Sequence, residues 1–198
     1  GIGRTATAIS AGYRHNCALL DNGYVKCWGR NNFGQLGIGN TTTMGDNTGE
    51  MAVLPTVNLG TGRTATAIAA GDQHSCALLD NASVKCWGHN AYGQLGIDNT
   101  THMGDNSSEM AVLPSIDLGT GRTATAIAAG ASHTCALLDN ASVKCWGHNA
   151  YGQLGIENRT QMGDNTGEMA VLPTVNLGTG RTATAIAAGL RHSCALLD

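Results

Sequence analysis

Apolar residues in this chain come in short runs separated by glycine-rich and polar turns. Residues 63–70, Arg-Thr-Ala-Thr-Ala-Ile-Ala-Ala, read as a strand of small and β-branched side chains that ends at Gly71. Residues 74–79, His-Ser-Cys-Ala-Leu-Leu, read as a second strand. Asp80-Asn81-Ala82 is a tight turn, and residues 83–88, Ser-Val-Lys-Cys-Trp-Gly, return as a third strand to make a hairpin. Gly93-Gln94-Leu95-Gly96 is a glycine-bracketed turn, followed by a polar loop over 98–109. Residues 110–118 predict a fourth strand, interrupted by Pro114 and suited to a sheet edge, where a missing N–H costs least.

This pattern repeats. The string CALLDNxxVKCWG begins at Cys17, Cys76 and Cys135, and starts again at Cys194, each start 59 residues after the last. A unit of this length cannot bury its own apolar face, so a fixed period implies a propeller or solenoid. Four short strands per unit is the content of a propeller blade, and small side chains over 63–70 suit a crowded inner strand. The expected fold is all-β: a β-propeller of four-stranded blades, with about 3.4 repeats of 59 residues forming an incomplete ring or part of a larger array. The units run over 1–61, 62–120 and 121–179, with a partial fourth over 180–198.

The combination AGxxH, CALLDN, VKCWG and (F/Y)GQLG resembles the regulator of chromosome condensation repeat family over nearly the whole chain. The most specific part is Trp-Gly-x-Asn-x-(Phe/Tyr)-Gly-Gln-Leu-Gly at residues 28–37, 87–96 and 146–155. The resemblance implies a ring of typically seven blades, more than one copy of this chain supplies. The last unit reaches only two strands, and an open edge invites pairing with another chain. Either the chain belongs to a longer polypeptide or identical chains complete each other.

Composition narrows the function. Net charge is −3 with no basic run, which gives no electrostatic footprint for nucleic acid. No apolar stretch approaches the ~18 residues of a membrane span. Gly1 falls just before a repeat start, so removal of a leader is compatible with the sequence.

The seven cysteines form Cys17/Cys27, Cys76/Cys86 and Cys135/Cys145, with Cys194 left over. Pairing about the turn sets Leu79 against Ser83, Leu78 against Val84 and Cys76 against Cys86, and opposed cysteines at such a position lie near bonding distance. Three disulfides within the repeats are expected, with Cys194 lacking a partner ten residues on. Disulfides imply an oxidising, extracellular or secreted setting. Sequons at Asn40, Asn81, Asn99, Asn106, Asn140 and Asn158 fit that setting as glycosylation candidates.

No nucleophile–base pair, phosphate loop or metalloprotease motif is present, so no catalytic residue, cofactor or metal is assigned. His15, His74, His133 and His192 each precede a cysteine by two, which offers half a metal site but favours a structural histidine. Asp46/Glu50, Asp105/Glu109 and Asp164/Glu168 recur in a Met-Gly-Asp-Asn loop without the spacing of a calcium-binding EF-hand. The favoured reading is an ordered loop with methionines tucked beneath it and acids meeting Arg63, Arg122 or Arg181. His89 and His148 follow Trp-Gly where repeat one has Arg30, and no shared role is assigned there.

Among near-identical copies, the pair after Ala-Gly changes every time: Tyr13-Arg14, Asp72-Gln73, Ala131-Ser132 and Leu190-Arg191. The long loop also varies at residues 41–43, 100–102 and 159–161. Such positions lie on a propeller rim and are the candidate binding residues. The expected function is a non-enzymatic extracellular module for protein binding or structural assembly into a filament or matrix, its partners being proteins, further copies of itself included. The alternatives are a secreted propeller that binds or inhibits one protein through its rim and, as the family's name-giving member is, a guanine nucleotide exchange factor for a small GTPase.

Overall fold

A computed structural model describes residues 3–198; the reading of Gly1 falls outside them. Each full repeat forms a three-stranded antiparallel sheet. The first contains β1 (Ala6–Ala11), β2 (His15–Leu20) and β3 (Val25–Gly29), followed by a one-turn helix, α1 (Glu50–Val53). The second contains β4 (Ala65–Ala70), β5 (His74–Leu79) and β6 (Val84–Gly88), then α2 (Glu109–Val112). The third contains β7 (Ala124–Ala129), β8 (His133–Leu138) and β9 (Val143–Gly147), then α3 (Glu168–Val171). A last, two-stranded sheet pairs β10 (Ala183–Ala188) with β11 (Ser193–Leu197). The inner strands β1, β4, β7 and β10 stand side by side about a common axis, as in a propeller whose ring is not closed. No helix among the described residues is long and apolar enough to cross a membrane.

The turn sets the register. In the second sheet Leu78 faces Val84 and Cys76 faces Cys86, and the same offsets hold in the first and third. Disulfides join Cys17 to Cys27, Cys76 to Cys86 and Cys135 to Cys145 across the hairpins, with Cα atoms 4.1 Å apart. Near the axis, space is short. A Cβ on Gly71 would collide with the carbonyl oxygen of Gly130 and the ring of His74.

The expected fourth strand takes another form. Residues 109–112 wind into α2, and the extended segment that follows makes one backbone bond to the sheet, Ile116 N–H to the Val84 carbonyl at 2.9 Å. Two causes act together. The Glu109 carboxylate accepts the backbone N–H groups of Gly104 (2.8 Å) and Asn106 (3.0 Å), which curls the loop into a helical turn. Pro114 then has no N–H to offer a ladder. Leu113, Ile116 and Leu118 are still buried.

The loop acids also depart from expectation. Arg63, Arg122 and Arg181 pair with Asp80, Asp139 and Asp198, each at 3.3 Å, because those aspartates end the strand beside the arginine. Glu50, Glu109 and Glu168 are taken up by their own loops. Backbone N–H groups of Asn47 and Gly45 hold the Glu50 carboxyl down at about 2.

The core lies between blades. One apolar cluster joins repeats one and two, and another joins repeat two to the third and to the last sheet. At each of the first two seams a tryptophan is fully buried: Trp87 donates its indole N–H to the Gln35 carbonyl at 3.0 Å, and Trp146 to the Gln94 carbonyl at 3.1 Å. Gly37 and Gly96, with φ of +66° and +65°, permit this approach, since a Cβ would stand 2.8 and 2.7 Å from the indole nitrogens. The loop methionines tuck in where a preceding blade covers them: Met110 and Met169 are buried, whereas Met51 is exposed.

Candidate protein-binding face

The turn after Ala-Gly and the segment after Trp-Gly meet at one end of each full blade. Arg30 N–H bonds the Arg14 carbonyl, His89 N–H that of Gln73, and His148 N–H that of Ser132, all at 2.9 Å. The variable pairs therefore share one face with the (Phe/Tyr)-Gly-Gln-Leu-Gly turns. Tyr13, Asp72, Ala131 and Leu190 ring a shallow axial depression of about 200 Å³. Tyr13 and Leu190 are strongly exposed, and the Arg14 guanidinium lies 5.1 Å from the centre of the Tyr13 ring. Burial raises the carboxyl pKa of Asp72.

Beside this depression runs a band of rings that crosses the seams. Phe33 meets His89 edge-on at 4.6 Å and His102 at 5.1 Å. Tyr92 meets His148 at 4.6 Å. Tyr151 lies 4.6 Å beneath the Arg191 guanidinium, which also donates to its hydroxyl at 3.1 Å. These contacts join one repeat to the next, and ring pairs within a repeat, such as His89 with His102 at 4.9 Å and His148 with Tyr151 at 6.1 Å, connect them.

A glutamine orients the imidazoles. Gln94 Oε1 accepts the backbone N–H of Tyr92 at 3.0 Å, which leaves its Nε2 to donate to His89 Nδ1 at 2.8 Å. Gln153 does the same between Tyr151 (2.9 Å) and His148 (3.0 Å). Accepting at Nδ1 places the ring proton on Nε2 of both histidines. Burial, and then the neighbouring His102, lower His89 to about 4; burial and Arg191 lower His148. Both are neutral rings at pH 7. His89 and His148 thus share a role that Arg30 of repeat one does not. In repeat one Arg30 cannot accept, and Gln35 Nε2 is buried without a partner.

The other candidates lie elsewhere. All six sequon asparagines are exposed, with Asn81 and Asn140 at the hairpin tips, the opposite end of the strands. Cys194 is an exposed free thiol. His15, His74 and His133 reach hydroxyls of the following repeat, and no cluster of three metal-binding side chains occurs among the described residues. Phe33, Tyr92 and Tyr151 escaped the sequence reading, whereas His102 lies in the variable loop it singled out. Their signal was present in the aromatic position before Gly-Gln-Leu-Gly, but its partner is 56 residues away, from Phe33 to His89.

Two descriptions of one repeat family, the regulator of chromosome condensation (RCC1) repeat, match residues 6–35, 65–94 and 124–153, and residues 22–78, 83–137 and 142–196. The ultraviolet-B receptor UVR8 of Arabidopsis thaliana is 30% identical over 192 residues, covering 96% of this chain and 39% of that protein. A structure of yeast RCC1 (Prp20) bound to Kap60 superposes with a TM-score of 0.70 at 21% identity, covering 99% of this chain and 42% of the other. The CRINKLY WD40 ectodomain of the Arabidopsis thaliana receptor kinase ACR4 superposes with a TM-score of 0.52 at 20% identity, covering 98% and 46%. The chain spans less than half the length of each.

Proposed function

The chain belongs to the regulator of chromosome condensation (RCC1) repeat family, and on that premise we propose that it is a non-enzymatic protein-binding module of an oxidising, extracellular compartment, which takes its partner on the axial face. One observation carries the reading. Against near-identical repeats, the pair after Ala-Gly changes every time and lies on that face, beside a continuous aromatic band. Tyrosine and arginine are the side chains that most often anchor protein interfaces, and Tyr13, Arg14, Tyr151 and Arg191 are exposed there.

Three disulfides support the compartment, and the match to a receptor ectodomain is in keeping with it. A second reading, assembly of copies into a filament or matrix, draws on the near-identity of the two seams. The exchange-factor reading has only the shared fold behind it.

The test compares three forms of the oxidised, immobilised chain, exposed to secreted proteins of its own source. They are the parent, a face variant (Tyr13→Ala, Arg14→Ala, Tyr151→Ala) and a hairpin-tip variant (Asn81→Ala, Asn140→Ala). A partner kept by the tip variant and lost by the face variant is expected. A partner kept by the face variant and lost by the tip variant overturns the reading.

A further inference from the structure

At the seam between the first two blades the ring band gathers three side chains into one cluster. Phe33 comes from repeat one, His89 from the segment after β6, and His102 from the variable loop that follows. The imidazole centres of His89 and His102 are 4.9 Å apart, and Phe33 stands edge-on to both, at 4.6 and 5.1 Å.

The position of both imidazole protons is fixed by what each ring accepts. His102 Nδ1 accepts the backbone N–H of Asn90 at 3.0 Å, a group that can only donate. His89 Nδ1 accepts Gln94 Nε2 at 2.8 Å, because Gln94 Oε1 is already held by the Tyr92 N–H. Each ring therefore carries its proton on Nε2, which leaves neither with a lone pair for a metal ion. Neither Nε2–H has an acceptor among the described residues, and both side chains are only part-buried.

The neighbouring repeats fill the same positions differently. At the second seam Tyr92 replaces Phe33 and Gln161 replaces His102, and Gln161 donates to Asp164 in its own loop at 3.4 Å. In repeat one the counterpart of His102 is Thr43. Only the first of these seams sets two free imidazole donors against a ring that has no hydroxyl to receive them.

Such a seat calls for a ligand with acceptors and no donors. A sugar hydroxyl brings both. Phosphate is best held by arginine, lysine or backbone amides, and Asp105, close enough to His102 to feel its charge, opposes a doubly charged anion most. A carboxylate offers two acceptor oxygens and a single charge, and its hydrogen bonds strengthen beside an apolar ring that excludes water. Arg14 and Arg30, carried by the same end of the first blade, add attraction at longer range. We propose that Phe33, His89 and His102 form a recognition seat for a carboxylate, filled by an aspartate or glutamate side chain of the partner protein. The partner rests on the function proposed for this face; the seat itself does not.

The test uses the isotope-labelled 198-residue chain with its three disulfides intact, at pH 7.5. Long-range proton–nitrogen spectra read the tautomers directly, and Nε2–H is expected at both His89 and His102. Sodium acetate, sodium phosphate, a capped Gly-Glu-Gly peptide and its Gly-Gln-Gly analogue are then titrated at constant ionic strength. Saturable shifts of both imidazoles are expected with acetate and with the glutamate peptide, and binding at least about tenfold weaker with the glutamine analogue. His102→Thr, which copies repeat one, should weaken the glutamate peptide by about tenfold. An Nδ1–H tautomer at either ring, no saturable shift with acetate, saturable and equal binding of the two peptides, phosphate bound more tightly than acetate, or unchanged affinity in His102→Thr would each overturn the seat. Acetate binding with no binding of the glutamate peptide would overturn the acidic side chain as its occupant. No probe is a protein, so the seat stands or falls separately from the protein-binding reading of the face.

Discussion

His15 Nε2 stands 2.8 Å from the hydroxyl of Ser75, across the seam between the first two blades. That hydroxyl gives its own proton to the Gln35 carbonyl at 2.9 Å, so the imidazole must donate from Nε2. Its Nδ1 is left deprotonated, buried and without a partner, as are those of His74 and His133 at the next two seams. Protonating any of them would bury a charge that nothing receives.

Acid should therefore loosen the seams. Burial lowers His15 to about 4; burial, and then the charges of His15, His133 and His89, lower His74 to about 3; burial lowers His133 to about 4. An unfolded histidine titrates near about 6.5. Between these values the unfolded chain binds more protons than the folded one, so stability rises with pH. It should be complete above pH 6.5 and fall as pH drops toward 4, by up to about 1.4 kcal/mol per pH unit for each histidine. Urea midpoints from pH 7.5 to 4.5 measure this, and His74→Gln should flatten the slope.

Burying an indole at a seam should matter more than at the first blade's outer side. Trp87 is 0% exposed and hydrogen-bonded, whereas Trp28 is only half-buried. Trp87→Ala should cost about 3–5 kcal/mol and Trp28→Ala less than half as much. Denaturant midpoints of the two variants decide the order.

Arg30→His would copy the second and third repeats into the first. It gives the unpartnered Gln35 Nε2 the acceptor that His89 gives Gln94. An increase in stability of about 1 kcal/mol is expected from thermal unfolding at pH 7.5, where the new imidazole is neutral. A loss would show that Arg30 has a contact worth more than the restored bond.

The disulfides close short loops, ten residues apart in sequence. Removing one by Cys76→Ser with Cys86→Ser should cost about 2–3 kcal/mol. Alkylation of the native chain should label one thiol, at Cys194, and reduction in denaturant should expose all seven. Intact mass after each treatment counts them.

What could be read from the sequence was what a single unit determines. The turn at 80–82 fixes how residues 74–79 meet 83–88, so Leu78 faces Val84 as its distance from the turn requires. The period implied blades because neighbouring units had to cover each other. Contacts between units were less legible. Phe33 meets His89 only because one blade lies against the next, and nothing local to either residue announces it. The expected fourth strand is absent for a different reason. Apolar spacing at Ile116 and Leu118 fits a strand, but Glu109 draws the preceding backbone into a turn. Charge alone offers Arg63 the loop acids, but the strand ladder puts Asp80 beside it.

Every disulfide lies inside one blade and none crosses a seam. Under a load applied along the array, the covalent links would keep each hairpin whole while the indole and imidazole contacts yielded. Such an array would lengthen in discrete steps, one blade leaving its neighbour at a time, and each blade would keep its shape, ready to dock again when the load fell.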